Sequence, residues 1–279
     1  MASPLAKTGT AGTAVLGMAV LAGACAASAN AQGFPRNAAG KPDFTGVWQA
    51  LNEAHWNLED HSAEAGPVLA LGAAGATPPG YGYVEGGTIP YLPAARAQRD
   101  ENYVHRLERD PEIKCYLPGV PRATYMPQPF QILQSDTDIL IVYQYAGAIR
   151  HVFMDGRTEA PVDAWMGWSN GRFDGDTLVI EVTGQNGQTW LDRAGNFGSA
   201  EMRVTERYTP RGPDHIWYEA TIEDPTVYSR PWKISMPLYR RLEPQAQILE
   251  FKCEEFVEEL LYGHLRKRGV EESSDDATD

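Results

Sequence analysis

DILIVYQYAGAIRHVFMDG, residues 138–156, is the stretch that decides the fold. It holds two short runs in which apolar residues alternate with others, separated by Ala146-Gly147. Side chains along a strand point alternately to opposite faces, so Ile139, Ile141, Tyr143 and Tyr145 share one face of the first run. Residues 148–154 form the second run, which stops at Asp155-Gly156. β-branched and aromatic residues dominate both, and the pair reads as a tight hairpin.

The same pattern continues outward. Residues 130–133 precede the hairpin. Residues 170–173 follow it, then the turn Asp174-Gly175-Asp176, then 177–183 (TLVIEVT), 202–209 (MRVTERYT), 215–222 (HIWYEATI), 231–242 and 248–253. That makes roughly eight or nine strands at hairpin spacing, with no helical pattern between them. Parallel neighbours need long crossovers, usually helical, so the expected sheet is antiparallel and up-and-down. So many strands hide their edges by closing on themselves. The expected fold class is therefore all-β, an antiparallel barrel, with an irregular N-terminal segment in front of it.

That N-terminal segment, residues 32–110, is rich in Gly, Ala and Pro as far as about residue 91 and should be mostly loop. Residues 93–109 (PAARAQRDENYVHRLER) begin on Pro and stop before Asp110-Pro111, which predicts its one helix. The barrel domain takes residues 111–262. Residues 263–279 read as an acidic, solvated tail.

The first thirty-one residues carry Lys7, a short apolar core at 14–24 and Ala29-Asn30-Ala31, an A-x-A cleavage site. They read as a signal peptide, too short and too rich in Ala and Gly for a membrane span. Ala22-Gly23-Ala24-Cys25 is also a weak lipobox, which would make Cys25 a lipid anchor. On either reading the chain is exported, to a periplasm or beyond. Removing Lys7 from the 24 basic residues leaves 23 against 37 acidic, a net of −14. Such a balance argues against nucleic acid and anionic membrane surfaces as partners. The remaining cysteines, Cys115 and Cys253, make an even pair, and in an oxidising compartment an even pair points to a disulfide. Two separate buried thiols are the alternative. Neither cysteine has a C-x-x-C partner, so zinc is not expected there.

Asp43 to Trp48 (DFTGVW) places Gly46 and Trp48 in a G-x-W spacing. Residues 111–122 (PEIKCYLPGVPR), 167–182 (GWSNGRFDGDTLVIEV), 190–208 (WLDRAGNFGSAEMRVTERY) and 224–232 (DPTVYSRPW) accompany it. With these motifs the chain resembles a large bacterial family of secreted lipocalin-like β-barrel proteins. The resemblance covers most of the mature chain and implies a lipocalin-like barrel; it brings no established reaction. Relatives carry Gly-His-Ser where this chain has Gly167-Trp168-Ser169, and Pro-His-Ser-Glu near Phe197-Gly198-Ser199-Ala200-Glu201. Histidine chemistry at those two places is not expected here. In the barrel, Trp48 would plug one end, stacked on Arg240 or Arg241.

A polar residue on the apolar face of a strand is costly without a partner, about 1–3 kcal/mol, and so marks a candidate site. His151 falls on a face with Ile149 and Phe153, and Glu206 on a face with Met202, Val204 and Tyr208. If both face the interior they would meet, and a carboxylate beside an imidazole makes a general base. A structural buried pair, or a face reversed by a bulge, is the alternative. Asp192, in the loop 190–193 (WLDR), is a candidate acid at the barrel mouth, or else it pairs with Arg193 or Arg203 or caps a turn. Tyr143, Trp165, Trp168, Trp190 and Tyr218 would line a pocket for a flat apolar or aromatic molecule. Arg172 and Arg150 would meet a substrate oxyanion only if they point inward. His55 and His61, in HWNLEDH, match no common metal spacing. No phosphate loop or dinucleotide fingerprint is present, so no cofactor is expected.

Three functions fit these features. The first is a cofactor-free lyase or isomerase acting on a polycyclic or lignin-like compound, with His151, Glu206 and Asp192 as its acid–base groups. The second is a carrier for the same kind of molecule, and the third an envelope protein with a filled barrel.

Overall fold

The computed structural model describes residues 1, 33–66, 68–156, 159–255 and 257–265. The expected signal peptide with Cys25, and the tail beyond residue 265, lie outside the described residues. Nine strands close into one barrel: β1 (Gly46–Gln49), β2 (Phe130–Gln134), β3 (Asp138–Tyr143), β4 (Ile149–Phe153), β5 (Trp168–Asp174), β6 (Thr177–Thr183), β7 (Arg203–Pro210), β8 (His215–Glu223) and β9 (Trp232–Arg240). They neighbour one another in chain order, and β1 pairs with β9 to shut the barrel.

Three details differ from the expectation, the first being that β1 comes from the N-terminal segment 32–110 and not from 111–262. β4 and β5 pair in parallel, Val152 opposite Ser169 and Phe153 opposite Asn170. The connection of residues 154–167 supplies the length that a parallel crossover needs, with no helix among its described residues. Residues 248–253 form no strand; β9 already completes the closure.

The predicted helix at residues 93–109 forms as α1 (Pro93–Val104) and α2 (Arg106–Arg109). The N-terminal segment packs onto the barrel instead of standing apart. Its Ala54, Leu58, Val84 and Ile89 belong to the same buried cluster as Ile132, Ile141 and Tyr208 of the strands.

One end of the barrel is closed by the G-x-W element. Trp48 is fully buried, its indole N–H donates to the Phe44 carbonyl at 2.8 Å, and the Arg240 guanidinium lies 4.3 Å above its ring. Gly46 has to be glycine because a Cβ there would collide with that guanidinium. The spacing thus encodes a cation–π plug, with no side chain allowed where the Arg must pass.

The opposite end is covered by the stretch before β2. Val120, Arg122, Ala123, Thr124, Tyr125 and Met126 are all buried there. The Tyr125 hydroxyl donates to the Leu191 carbonyl at 2.8 Å, which ties this cap to the β6–β7 loop. Among the described residues no helix is long and apolar enough to cross a membrane.

Candidate functional site

The inward-facing side chains of the strands form one buried cluster. Ile139 and Ile141 point inward, and directly opposed residues share a face of the sheet. Arg150, opposite Ile141, and Val152, opposite Ile139, therefore point inward as well. His151 points outward: its side chain is 42% exposed and its Nε2 lies 2.7 Å from Asp138. The expected meeting of His151 with Glu206 does not occur. The sequence misled because Ile149, which gave that face its apolar look, is itself on the outside and 64% exposed.

Glu206 does face inward, and its partner is Arg150. The Arg150 Nη2 donates to Glu206 Oε2, while its Nε donates to the Ser169 hydroxyl at 2.8 Å. Tyr218 and Tyr208 donate to Glu206 Oε1 at 2.7 and 3.1 Å. Burial and the Glu206 charge push both phenols well above their ordinary range. Burial pulls the Arg150 guanidinium down, but Glu206 outweighs it and the net shift is upward. The Glu206 carboxylate is held by Arg150, Tyr208 and Tyr218 and not by an imidazole. Residues 167–171, GWSNG, also match the G-x-S-x-G pattern of a serine nucleophile elbow. Ser169 sits within β5, buried, with its hydroxyl accepting from Arg150, so no elbow is formed.

The other expected site residues are scattered. Asp192 is completely buried and holds its loop together, accepting from the backbone N–H groups of Leu58, Ala194 and Asn196 and from the Asn196 side chain. Burial pushes its carboxyl up to about 6 against those donors, which pull the other way. It caps a turn and pairs with neither Arg193 nor Arg203 in these contacts. Tyr143 and Tyr218 belong to the buried interior, and Trp190 is buried. Trp165 stacks on Tyr116 at 4.8 Å and Trp168 on Phe153 at 4.4 Å. Arg172 pairs with Glu181 on the outer surface. Cys115 and Cys253 do form the expected disulfide.

A cavity of about 540 Å³ lies at the capped end, outside the barrel. Its walls come from parts of the chain far apart in sequence. The N-terminal segment gives Trp56 and Leu71, α1 and α2 give Tyr103 and Leu107, and the turn after β3 gives Tyr145. The β6–β7 loop adds Arg193, and residues beyond β9 add Phe251, Val257 and Tyr262. None of the residues expected to bind a ligand lines it. The one advance signal was the cysteine pair, since a Cys115–Cys253 bond has to bring the last residues beside residues 110–116.

A buried charge network forms the cavity floor. Arg122, almost inaccessible, donates to both oxygens of Asp110 at 2.9 and 3.0 Å and to Glu112 at 2.6 Å. Arg193 grips Glu112 through Nε and Nη2 at 2.8 and 2.6 Å, and its guanidinium stacks 4.3 Å over the Trp56 ring. Burial raises the Glu112 carboxyl, but Arg193 and then Arg122 outweigh it and hold it at about 2. The cations and anions of this floor pair with one another.

His55 sits behind the floor, 6% exposed, and burial followed by the Arg193 charge pushes it down to about 3. Because its folded value lies below the unfolded value of 6.5, the unfolded chain takes up the proton first as pH falls. The stability contribution is complete above about pH 6.5 and is lost progressively toward pH 3. Asp192 acts in the opposite sense over its own window, so the comparison is made with a variant. The native protein should lose about 3 kcal/mol relative to His55→Gln between about pH 6.5 and 4, read from denaturant unfolding. Parallel profiles for the two proteins would refute this assignment. Among the described residues there is no group of three or more His, Cys, Asp and Glu able to hold a metal ion.

No family model matches the chain, and neither a curated protein nor a solved structure does.

Proposed function

We propose that the protein is an exported carrier that holds a small apolar or aromatic molecule in the cavity at the capped end of the barrel. The observation that carries this reading is the cavity itself. About 540 Å³ falls within the range of small-molecule sites, and Trp56, Tyr103, Tyr145 and Phe251 give it flat, apolar walls. The alternative of a lyase or isomerase depended on His151 standing beside Glu206. With these on opposite faces of the barrel wall, the binding reading is the one the geometry favours. Export draws support from the disulfide and from the expected signal peptide.

Titration with the neutral fluorescent probe N-phenylnaphthylamine tests the site. Trp56→Ala should raise the probe Kd about tenfold, the equivalent of about 1.4 kcal/mol of lost aromatic contact. Tyr218→Phe, in the barrel interior, should leave it unchanged. An unaffected Kd in Trp56→Ala, with loss in Tyr218→Phe, would return the site to the barrel.

A further inference from the structure

The outer wall of the cavity is a strap. After β9 the chain crosses the capped end, and Phe251, Cys253, Val257 and Tyr262 close one side of the cavity. Few specific contacts hold it there. Among the described residues, apart from the local turn in which the Ala246 N–H donates to the Glu243 carbonyl, one hydrogen bond joins 244–262 to the rest of the fold, from the Leu249 N–H to Gln144 Oε1 at 3.2 Å. One ring pair joins it too, Phe251 with Tyr145 at 5.2 Å. Its Leu249, Val257, Leu260 and Leu261 are exposed, so little apolar surface is buried to keep it in place. The third attachment is covalent, Cys253 to Cys115, and Cys115 lies directly after the Glu112 floor.

We propose that the Cys115–Cys253 disulfide assembles the binding cavity: oxidation docks the strap as its outer wall, and reduction frees the strap and the ligand with it. The proposal rests on the binding reading above. The barrel itself does not need the bond, since its closure is made by β1 against β9 and neither cysteine lies in a strand. Both cysteines are only half-buried. The step is an ordinary exchange with a dithiol. Two electrons and two protons pass to the protein, the S–S bond becomes two thiols, and the dithiol closes to its own disulfide. In a reducing compartment the chain would then be a barrel without a finished site, so ligand is captured only after export.

Two measurements on the full chain test this, each with and without dithiothreitol and each repeated on Cys253→Ser. Reduction, or the variant, should raise the N-phenylnaphthylamine Kd by about tenfold or more, as expected for losing an aromatic wall. Hydrogen exchange of residues 249–255 should accelerate at the same time, while the exchange of β6 to β8 and the far-ultraviolet circular dichroism stay unchanged. An unaltered Kd with an unaltered strap would overturn the proposal. Unfolding of the barrel on reduction would overturn it too, because the bond would then hold the fold and not the site. If the oxidised protein binds no probe, the carrier reading fails, and the exchange measurement alone still decides whether the bond holds the strap.

Discussion

Arg150→Met is expected to lower unfolding stability by roughly 3–5 kcal/mol, the usual cost of leaving one member of a buried ion pair without its partner. Glu206 is 0% exposed, and with Arg150 removed its carboxylate keeps only the hydroxyls of Tyr208 and Tyr218. If the uncompensated charge is the cause, neutralising it should restore much of the loss. In the Arg150→Met background, Glu206→Gln keeps an acceptor for the two tyrosines and removes the charge. The double variant should regain at least about 2 kcal/mol over Arg150→Met alone. A double variant as weak as the single one would mean that packing of the Arg stem, not the charge, is what was lost.

Arg122→Met should be of similar size, roughly 3–5 kcal/mol, and should act on the site as well as on the fold. Arg122 is enclosed between Asp110 and Glu112, so its loss leaves two carboxylates beside one another with Arg193 as the remaining close cation. Glu112 also fixes Arg193 against Trp56, so the cavity floor should loosen. The denaturant midpoint should fall with little change in m-value, because a comparable surface is exposed on unfolding. Full stability in this variant would show that the floor network contributes nothing net.

The parts of this fold that were legible in the sequence are those set by short-range pattern. Period-two runs place Ile139, Ile141 and Tyr143 inward, as found. The G-x-W element, taken with the barrel-length strand series, suggested the Trp48 plug with Arg240 or Arg241 as its partner, and Arg240 is the one found there. The disulfide was expected from the pair of cysteines left once Cys25 is removed with the expected signal peptide.

What failed depended on long-range pairing. In β4 both faces carry apolar residues, Ile149 on one and Val152 on the other, so hydrophobicity could not choose between them. The choice was made by register with β3, and an inward Arg150 became tolerable because Glu206 faces it from the far side of the barrel. The parallel β4–β5 joint was hidden because a plain loop did the work usually given to a helix. The cavity was least legible, for it brings Trp56, Tyr103, Tyr145, Arg193 and Phe251 together from five separate segments. No local motif marks them.

The central claim is that ligand lies outside the barrel, at its capped end, and not within it. A crystal structure of the oxidised protein with N-phenylnaphthylamine tests this most directly. The account predicts probe density between Trp56, Tyr145 and Phe251, with Glu206 still paired to Arg150. Probe density among Tyr143, Tyr208 and Tyr218, with that ion pair opened, would contradict it.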